Sequence, residues 1–536
     1  MVDQDSLLSS SATGLGFSVL FQALSRVLNF IVNQFTIRLS NPLAYGFATI
    51  KLEVLQSTIL FLSREAIRLA LQRSPPKSKY AEGELKLPYK FKTKEGQRQV
   101  IINVSLLPLY VGFGLCLILT PIYLKSSVAV NSASLAIGIY VVSSLLRLLS
   151  EQLYQQLQWE ERFARRASCE GYGVVSNCFA TFIFTLFERG RSSTCLPFAI
   201  GNFVESVTCF YFLWKATGFN RVFFVPTPVN FDGKEILWDK DIITNLGGQS
   251  YQLVLKHVLT EGDKLMASWL ATPTVQGLFA LATNYGSIFA RILLRPIEEQ
   301  AHIVFAQLNT DNTTDGKKKA SDVASLFIRL YLYLALFVVF GSPYSLLLLN
   351  ITAGRQWSGS DAASVLSIYA YYVPVMAING ITEAYFVSTA SVQEIISQTR
   401  YMLFISVAYF LSGLVFLQWF SLGPAGFIYS NMLNLGLRII ISIRYMYKRL
   451  PNFKLKDCSP GAPLFLLSLI LRAVTQYTTN LWKADQLNTL LYIASAAFSA
   501  SLFSICIAYY DRLFFKSIRF NTVRNDTKPK DTKKNA

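Results

Sequence analysis

The feature that most constrains this chain is a succession of apolar runs, each about twenty residues long, separated by mostly short polar connections. In hydrocarbon a backbone must satisfy its own N–H and C=O groups, so such runs read as membrane-spanning helices. They fall near residues 15–38, 44–70, 100–123, 131–153, 172–189 and 194–216. After a polar stretch they resume near 250–271, 273–307, 321–349, 361–390, 401–420, 423–447, 461–482 and 488–511. That walk predicts an all-α integral membrane protein with about fourteen transmembrane helices. The seventh and eighth runs are the least apolar, the seventh holding Glu261, Asp263 and Lys264. A chain of 536 residues that is 52% apolar and only 15% charged is unusual for a soluble protein.

The net charge of +18 would suit a nucleic-acid partner, but the cations flank apolar runs instead of forming one basic patch, so none is expected. Lys and Arg gather in alternate connections from the second span onward and in the carboxyl tail, and are sparse in the other connections. By the positive-inside rule both termini are then cytoplasmic and the span count is even. The loop from Gln72 to Gln99 and the tail ending KPKDTKKNA carry most of this charge. They read as solvated topology determinants that also touch anionic membrane lipids. Sequons at Asn312 and Asn525 fall on the cytoplasmic side, whereas Asn350 falls on the opposite side as a possible acceptor. The first fourteen residues hold two Asp and no Lys or Arg, so they lack the basic start of a cleaved signal and the first span is expected to remain. Seven cysteines lie mostly within or beside the runs without a CxxC pair, which predicts core thiols and no disulfide framework.

The polar stretch Thr217 to Gln249, with Pro226, Pro228, Asp232-Gly233 and Gly247-Gly248, is the best boundary in the chain. It predicts an amino-terminal lobe (1–216), a cytoplasmic linker (217–249), a second lobe (250–450), two additional spans (461–511) and a basic cytoplasmic tail (512–536). An offset of 231 residues pairs Leu24 with Leu255, Val27 with Val258, Leu28 with Leu259, Leu39 with Leu270, Pro42 with Pro273, Gly46 with Gly277, Leu62 with Leu293 and Arg64 with Arg295. Each half would therefore begin with the same helical hairpin, the halves being like-oriented about an axis along the membrane normal.

A charge inside the bilayer is costly and seldom faces lipid, so the intramembrane charges are the site candidates. The first half supplies Arg26, Lys51, Glu53, Arg64, Glu65, Arg68 and Arg147. The second supplies Glu261, Asp263, Lys264, Arg291, Arg295, Glu298, Glu299 and His302, then Glu383 and Arg438. Arg64 and Arg68, one turn apart in FLSREAIR, read either as cations snorkelling to the interface or as the mouth of a cavity. Arg26 sits deeper, where snorkelling explains it less well. LTEGDKL, with Gly262 among charges, reads as an interrupted helix lining an aqueous space or as an internally paired cluster. In ARILLRPIEEQ, Arg291 and Arg295 share a face and Pro296 is expected to bend the helix before Glu298 and Glu299. Guanidinium forks match phosphate oxygens, so matching hairpins could clamp a diphosphate; structural salt bridges are the competing reading.

Motifs for other chemistry are missing from the sequence. It has no GxxxxGK[ST], HExxH or GxSxG, and no metal-ligand spacing around His257 and His302, which read as buried polar contacts. The non-cytoplasmic connections are short, with Asp361 beside the longest of them at 350–360. A transporter without a cofactor or metal is expected, not an enzyme.

FQALSRVLNFIVNQFTIR, FLSREAIRLA, LTEGDKL and YGSIFARILLRPIEEQ resemble, in order, the eukaryotic Rft-type proteins of the multidrug/oligosaccharidyl-lipid/polysaccharide exporter superfamily. The resemblance implies two six-helix lobes around a central cavity plus two carboxyl-terminal helices. It implies residence in the endoplasmic reticulum membrane, and as substrate the lipid-linked oligosaccharide Man5GlcNAc2-PP-dolichol, translocated to the lumenal leaflet for protein N-glycosylation. It also implies that Arg26, Arg64, Arg68, Lys264, Arg291 and Arg295 contact the diphosphate or glycan. Glu65, Glu261, Asp263, Glu298 and Glu299 would support or couple, and His257 joins them as a neighbour in the seventh run. A non-transporting lipid-binding or scaffold protein of the same assembly route, and an ion-coupled exporter of small molecules, are the alternatives.

Overall fold

The chain is seen here as a computed structural model that describes residues 31–72, 94–126, 132–160, 162–188, 194–231, 234–238, 257, 261–290, 294–310, 314–450 and 453–510. Among them, eight helices are long and apolar enough to cross a membrane. Others of membrane length are more polar, including Glu53–Gln72, Phe163–Phe187 and Ala462–Lys483. By compactness the chain divides into two units, Met1–Ala280 with Thr352–Trp357, and Leu281–Ile351 with Ser358–Ala536.

In the first unit, residues 31–39 are helical and the chain turns at Asn41. The Asn41 side chain accepts from the Ala44 amide at 2.8 Å and Pro42 follows at the first helical position, so a free N–H is capped and φ is pre-set where the helix begins. Pro42–Gly46 runs through a π-helical turn, Phe47–Leu52, into Glu53–Gln72. That turn is the irregularity of the hairpin, and the sequence pattern does not announce it. The helices Lys94–Val104, Leu107–Lys125, Ala133–Leu149, Glu151–Trp159, Phe163–Phe187 and Leu196–Ala216 follow. Phe47, Leu52, Leu55 and Ile59 pack with Ala136, Ile137, Tyr140 and Ala199 in its main apolar core.

Two features close one end of this unit. A Cβ added to Gly46 would land on the Gly277 amide nitrogen and the Pro273 carbonyl, and one added to Gly277 would land on the Pro42 carbonyl. The two Pro-x-x-x-Gly stretches aligned by the 231-residue offset thus touch backbone to backbone, a closeness only glycine allows. Nearby, the short segment Thr352–Trp357 docks into the unit. Trp357, fully buried, donates Nε1–H to the Ile37 carbonyl at 2.8 Å and meets Tyr45 edge-on at 5.6 Å.

The polar stretch after Ala216 is more structured than a plain linker. Val229–Phe231 and Lys234–Ile236 pair antiparallel, Val229 opposite Ile236. Asn103 holds this region through both backbone groups of Thr227, accepting at 3.0 Å and donating at 2.7 Å, and donates to Leu237 at 2.9 Å.

In the second unit, Arg295–Thr310, Thr314–Gly341, Ser345–Thr352, Ala362–Thr389, Val392–Leu414 and Pro424–Arg449 precede Ala462–Lys483 and Thr489–Tyr510. A capping box, Ser391 with Glu394, starts the Val392–Leu414 helix. The last two helices pack against Thr314–Gly341 through Tyr333, Leu336, Phe340, Leu464, Leu471, Phe503 and Ile507. Arg472 is tied to Ser342 at 2.8 Å in the same bundle.

Candidate functional site

An arginine within a membrane helix needs an anion or a route to the headgroups. Glu53–Gln72 carries Arg64 and Arg68 on one face. The Ala133–Leu149 helix ends at Ser150 and restarts as Glu151–Trp159, which brings Glu151 to them. Arg68 donates through Nε and Nη2 to the two Glu151 oxygens at 2.6 and 2.7 Å, and its guanidinium lies 3.9 Å from the Tyr154 ring centroid. Gln155 donates to Glu151 at 2.8 Å, and Glu151 is only 1% exposed. Arg166 lies over the same tyrosine at 4.8 Å.

Next to this pair Arg147 is bonded to Glu205, which also accepts from Asn177 at 2.8 Å. Arg64 is within electrostatic reach of Arg68, Arg147, Glu151 and Glu170. It makes no hydrogen bond or ion pair of its own with the described residues. Arg68 and Arg147 are each bonded to a glutamate, so of the three arginines Arg64 is the one whose donors are not spent on an ion pair among the described residues. A half-buried guanidinium with unused donors is ready to donate to the oxygens of a phosphate group.

A second constellation in the first unit is acidic. Lys264 Nζ lies 3.2 Å from Glu53 and 3.4 Å from Glu261, and the Asp263 carboxylate accepts from the Lys264 amide at 2.8 Å. Residues 261–270 form one continuous helix, so Gly262 does not break it; a glycine inside a helix costs only about 1 kcal/mol. Residues 258–260, where the rest of the expected interruption falls, lie outside the described residues. His257 is buried, stacked on Phe61 at 4.7 Å and 3.2 Å from the Thr58 hydroxyl, which matches a buried polar contact. Lys51, on the π-helical turn, donates to the Ser126 carbonyl at 2.7 Å.

In the second unit, Glu383 is held by Arg438 Nη2 at 2.6 and 2.7 Å and by Asn379 at 3.1 Å. Glu298 approaches so closely that a Cβ on Gly380 would fall on its carboxylate, and it is within electrostatic reach of Glu383. It has no ion pair among the described residues, so this cluster carries a surplus negative charge. Arg295 is 71% exposed and lies 3.4 Å from Glu299, one turn on. Pro296 stands two residues after Leu294, which is π-helical, where the chain passes into the α-helix Arg295–Thr310. His302 exchanges contacts with Ser388 at 3.0 and 3.2 Å.

Of the residues read from the sequence, Arg64 and Arg68 come together, as do Glu261, Asp263 and Lys264, and Arg295 joins Glu299. Glu65 is half-buried without an ion pair among the described residues. Arg26 and Arg291 lie outside the described residues. Sequence reasoning passed over Glu151, Tyr154 and Glu205. For Glu151 and Glu205 the signal was a charge inside or at the edge of an apolar run, the same signal that singled out the arginines, whereas Tyr154 carried none. Pairing with Glu151 gives Arg68 a bound partner already, so it is not the open cation that the spacing suggested.

Comparison with known proteins follows the geometry. The family model described as Rft protein matches residues 10–520. The chain is 40% identical over 512 residues to the Man(5)GlcNAc(2)-PP-dolichol translocation protein RFT1 of Schizosaccharomyces pombe, covering 96% of this chain and 97% of that protein. It is 29% identical to the protein of the same name from Saccharomyces cerevisiae, with 81% and 82% coverage. Among solved structures, the lipid II flippase MurJ in an inward closed conformation superposes with a TM-score of 0.58 at 15% identity, covering 92% of this chain and 99% of MurJ. An inward-facing multidrug resistance MATE family transporter reaches 0.54 at 12% identity, covering 81% and 96%. At these identities the likeness is one of fold: an all-helical membrane architecture shared with transporters.

Proposed function

The chain belongs to the Rft protein family, and from that membership we propose that it carries Man5GlcNAc2-PP-dolichol from the cytoplasmic to the lumenal leaflet of the endoplasmic reticulum membrane for protein N-glycosylation. The observation that carries this reading into the geometry is Arg64, the guanidinium left over when Arg68 and Arg147 are paired with Glu151 and Glu205. A diphosphate needs cations that are not already spent, and Arg64 supplies one within a membrane helix. The Arg68–Glu151 pair holds the helix bearing Arg64 in place; Arg68 then positions and does not clamp. The glycan is met by polar side chains, and the polyprenyl tail stays in lipid beside the protein. No nucleotide motif accompanies these residues, and none is required where a gradient of the lipid itself drives net movement. The loop-charge bias supports cytoplasmic termini, and Lys264, Arg295 and the neighbouring carboxylates are kept as further contacts of the translocated lipid.

The test is reconstitution of the purified chain into vesicles containing the authentic glycolipid. Transfer between leaflets should accelerate over protein-free vesicles, and Arg64→Gln should lower the rate about tenfold while leaving the fold intact, a loss equal to about 1.4 kcal/mol of transition-state stabilisation. Absence of any acceleration by the folded wild-type chain would sink the reading.

A further inference from the structure

The stretch directly after the Leu196–Ala216 span is built in an unusual way. Gly218 and Phe219 are both in the left-handed region, at φ +79° and +55°. Glycine takes that conformation freely, but a bulky aromatic residue there is an outlier whose strain needs a compensating reason. The backbone is held around it: the Phe219 amide donates to the Trp214 carbonyl at 2.9 Å, and Trp214 Nε1–H donates to the Asn220 carbonyl at 2.9 Å. Yet the Phe219 ring remains exposed, edge-on to Trp214 at 5.1 Å.

The following residues are fixed just as firmly. Gln152 bonds both backbone groups of Phe223, at 2.9 and 3.0 Å, and the Tyr110 hydroxyl donates to the Phe224 carbonyl at 2.6 Å. This rigid segment leaves Phe224 63% and Val225 69% exposed, with Leu237 and Trp238 also exposed nearby in sequence. Exposed apolar side chains on a braced backbone mark a contact surface more than a loose connection. From Lys215 to Phe231 the chain holds Lys215 and Arg221 and not one Asp or Glu, and both cations are exposed.

We propose that Thr217–Val225, with Tyr110 and Trp238, is a membrane-interface foot that lies in the headgroup and upper acyl region of a leaflet containing anionic lipid. Two observations commit it to lipid. The segment leaves a span at Ala216, and just beyond it both backbone groups of Thr227 are bonded to Asn103, five residues into the span Arg98–Lys125, so it is held toward the ends of two spans, where headgroups begin. Its chemistry is the interfacial one, aromatic rings with a wet edge beside Lys and Arg. The foot would hold the first part of the interlobe connection against the bilayer, whichever lipid the protein moves.

The purified full chain is reconstituted in phosphatidylcholine vesicles containing phosphatidylserine, with a diazirine placed either near the glycerol end of one acyl chain or at its terminal methyl. After irradiation, trypsin releases residues 216–221 and 222–234 as separate peptides. Both should carry lipid adducts from the shallow probe at several times the yield from the deep probe, whereas peptides from span centres show the reverse. Phe224→Asn combined with Val225→Ser should cut labelling of 222–234 at least about threefold while 216–221 keeps its adducts. Replacing phosphatidylserine by phosphatidylcholine should lower the yield at least about twofold, since Lys215 and Arg221 then lose their anionic partners. Unlabelled 216–221 and 222–234 peptides beside labelled spans would overturn the proposal, as expected if a protein partner or bulk water covers this surface. Yields indifferent to anionic lipid would overturn the choice of leaflet chemistry.

Discussion

In the first unit Arg68 and Glu151 meet at two points, with a tyrosine under the guanidinium and the carboxylate 1% exposed. In the second unit Arg438 reaches Glu383 through Nη2 alone, and both side chains stay about a quarter exposed, at 26% and 28%. Among the described residues the buried Arg438 Nε finds no acceptor and the buried Asn379 Oδ1 finds no donor. What is left over among the described residues also differs: beside the tight pair stands a cation without an ion pair, Arg64, and beside the looser pair an anion without one, Glu298. A fully satisfied ion pair leaves its neighbour free to act on something else. A partly satisfied one keeps capacity to change partners.

If burial is what separates the two pairs, removing their acids should cost different amounts. Glu151→Ala strands Arg68 among buried groups and should destabilise the chain by about 3–5 kcal/mol, the usual penalty for leaving a buried charge alone. Thermal unfolding in detergent, followed by loss of the monodisperse peak, measures it, and Glu151→Gln should recover part of the loss. Glu383→Ala leaves Arg438 partly solvated, and a cost of about 1–3 kcal/mol is expected from a lost charge-assisted bond. Equal losses in the two variants would erase the distinction between the units.

Much of this architecture was legible in advance because it follows from solvent. Apolar runs located long helices such as Leu107–Lys125, Leu196–Ala216, Ala362–Thr389 and Thr489–Tyr510, and the 231-residue offset picked out Pro42, Gly46, Pro273 and Gly277, which the fold brings into backbone contact. The site was harder. Arg64 and Arg68 look equivalent in FLSREAIR, one turn apart, and nothing local tells that only Arg68 has a glutamate across the interface. That information lies in the break at Ser150, which turns the end of an apolar run into the first turn of a new helix. The π-helical turn Phe47–Leu52 was invisible for a similar reason, since its residues are as helical in composition as their neighbours. Docking of Trp357 depends on a contact 320 residues apart along the chain, beyond the reach of any periodicity.

The comparison extends to transfer activity. Arg64→Gln should leave the unfolding midpoint nearly unchanged, because no ion pair is broken, while glycolipid movement in vesicles falls about tenfold, or about 1.4 kcal/mol. A large fall in stability instead would mean that Arg64 is a structural residue and that the unspent cation lies elsewhere.

Arg295 occupies the position that the offset aligns with Arg64, yet its surroundings are unlike. It is largely exposed and shares an i,i+4 contact with an equally exposed Glu299. Exposed pairs of that kind contribute about 0–1 kcal/mol, so Arg295→Gln should barely move the unfolding midpoint. If the two halves have diverged in function as their environments suggest, transfer should drop by less than about twofold, a change under about 0.5 kcal/mol. A tenfold loss, matching Arg64→Gln, would mean that the aligned arginines act as a pair on one headgroup. The double variant then decides between one site and two, since residues serving a single headgroup should lose less together than the sum of their separate losses.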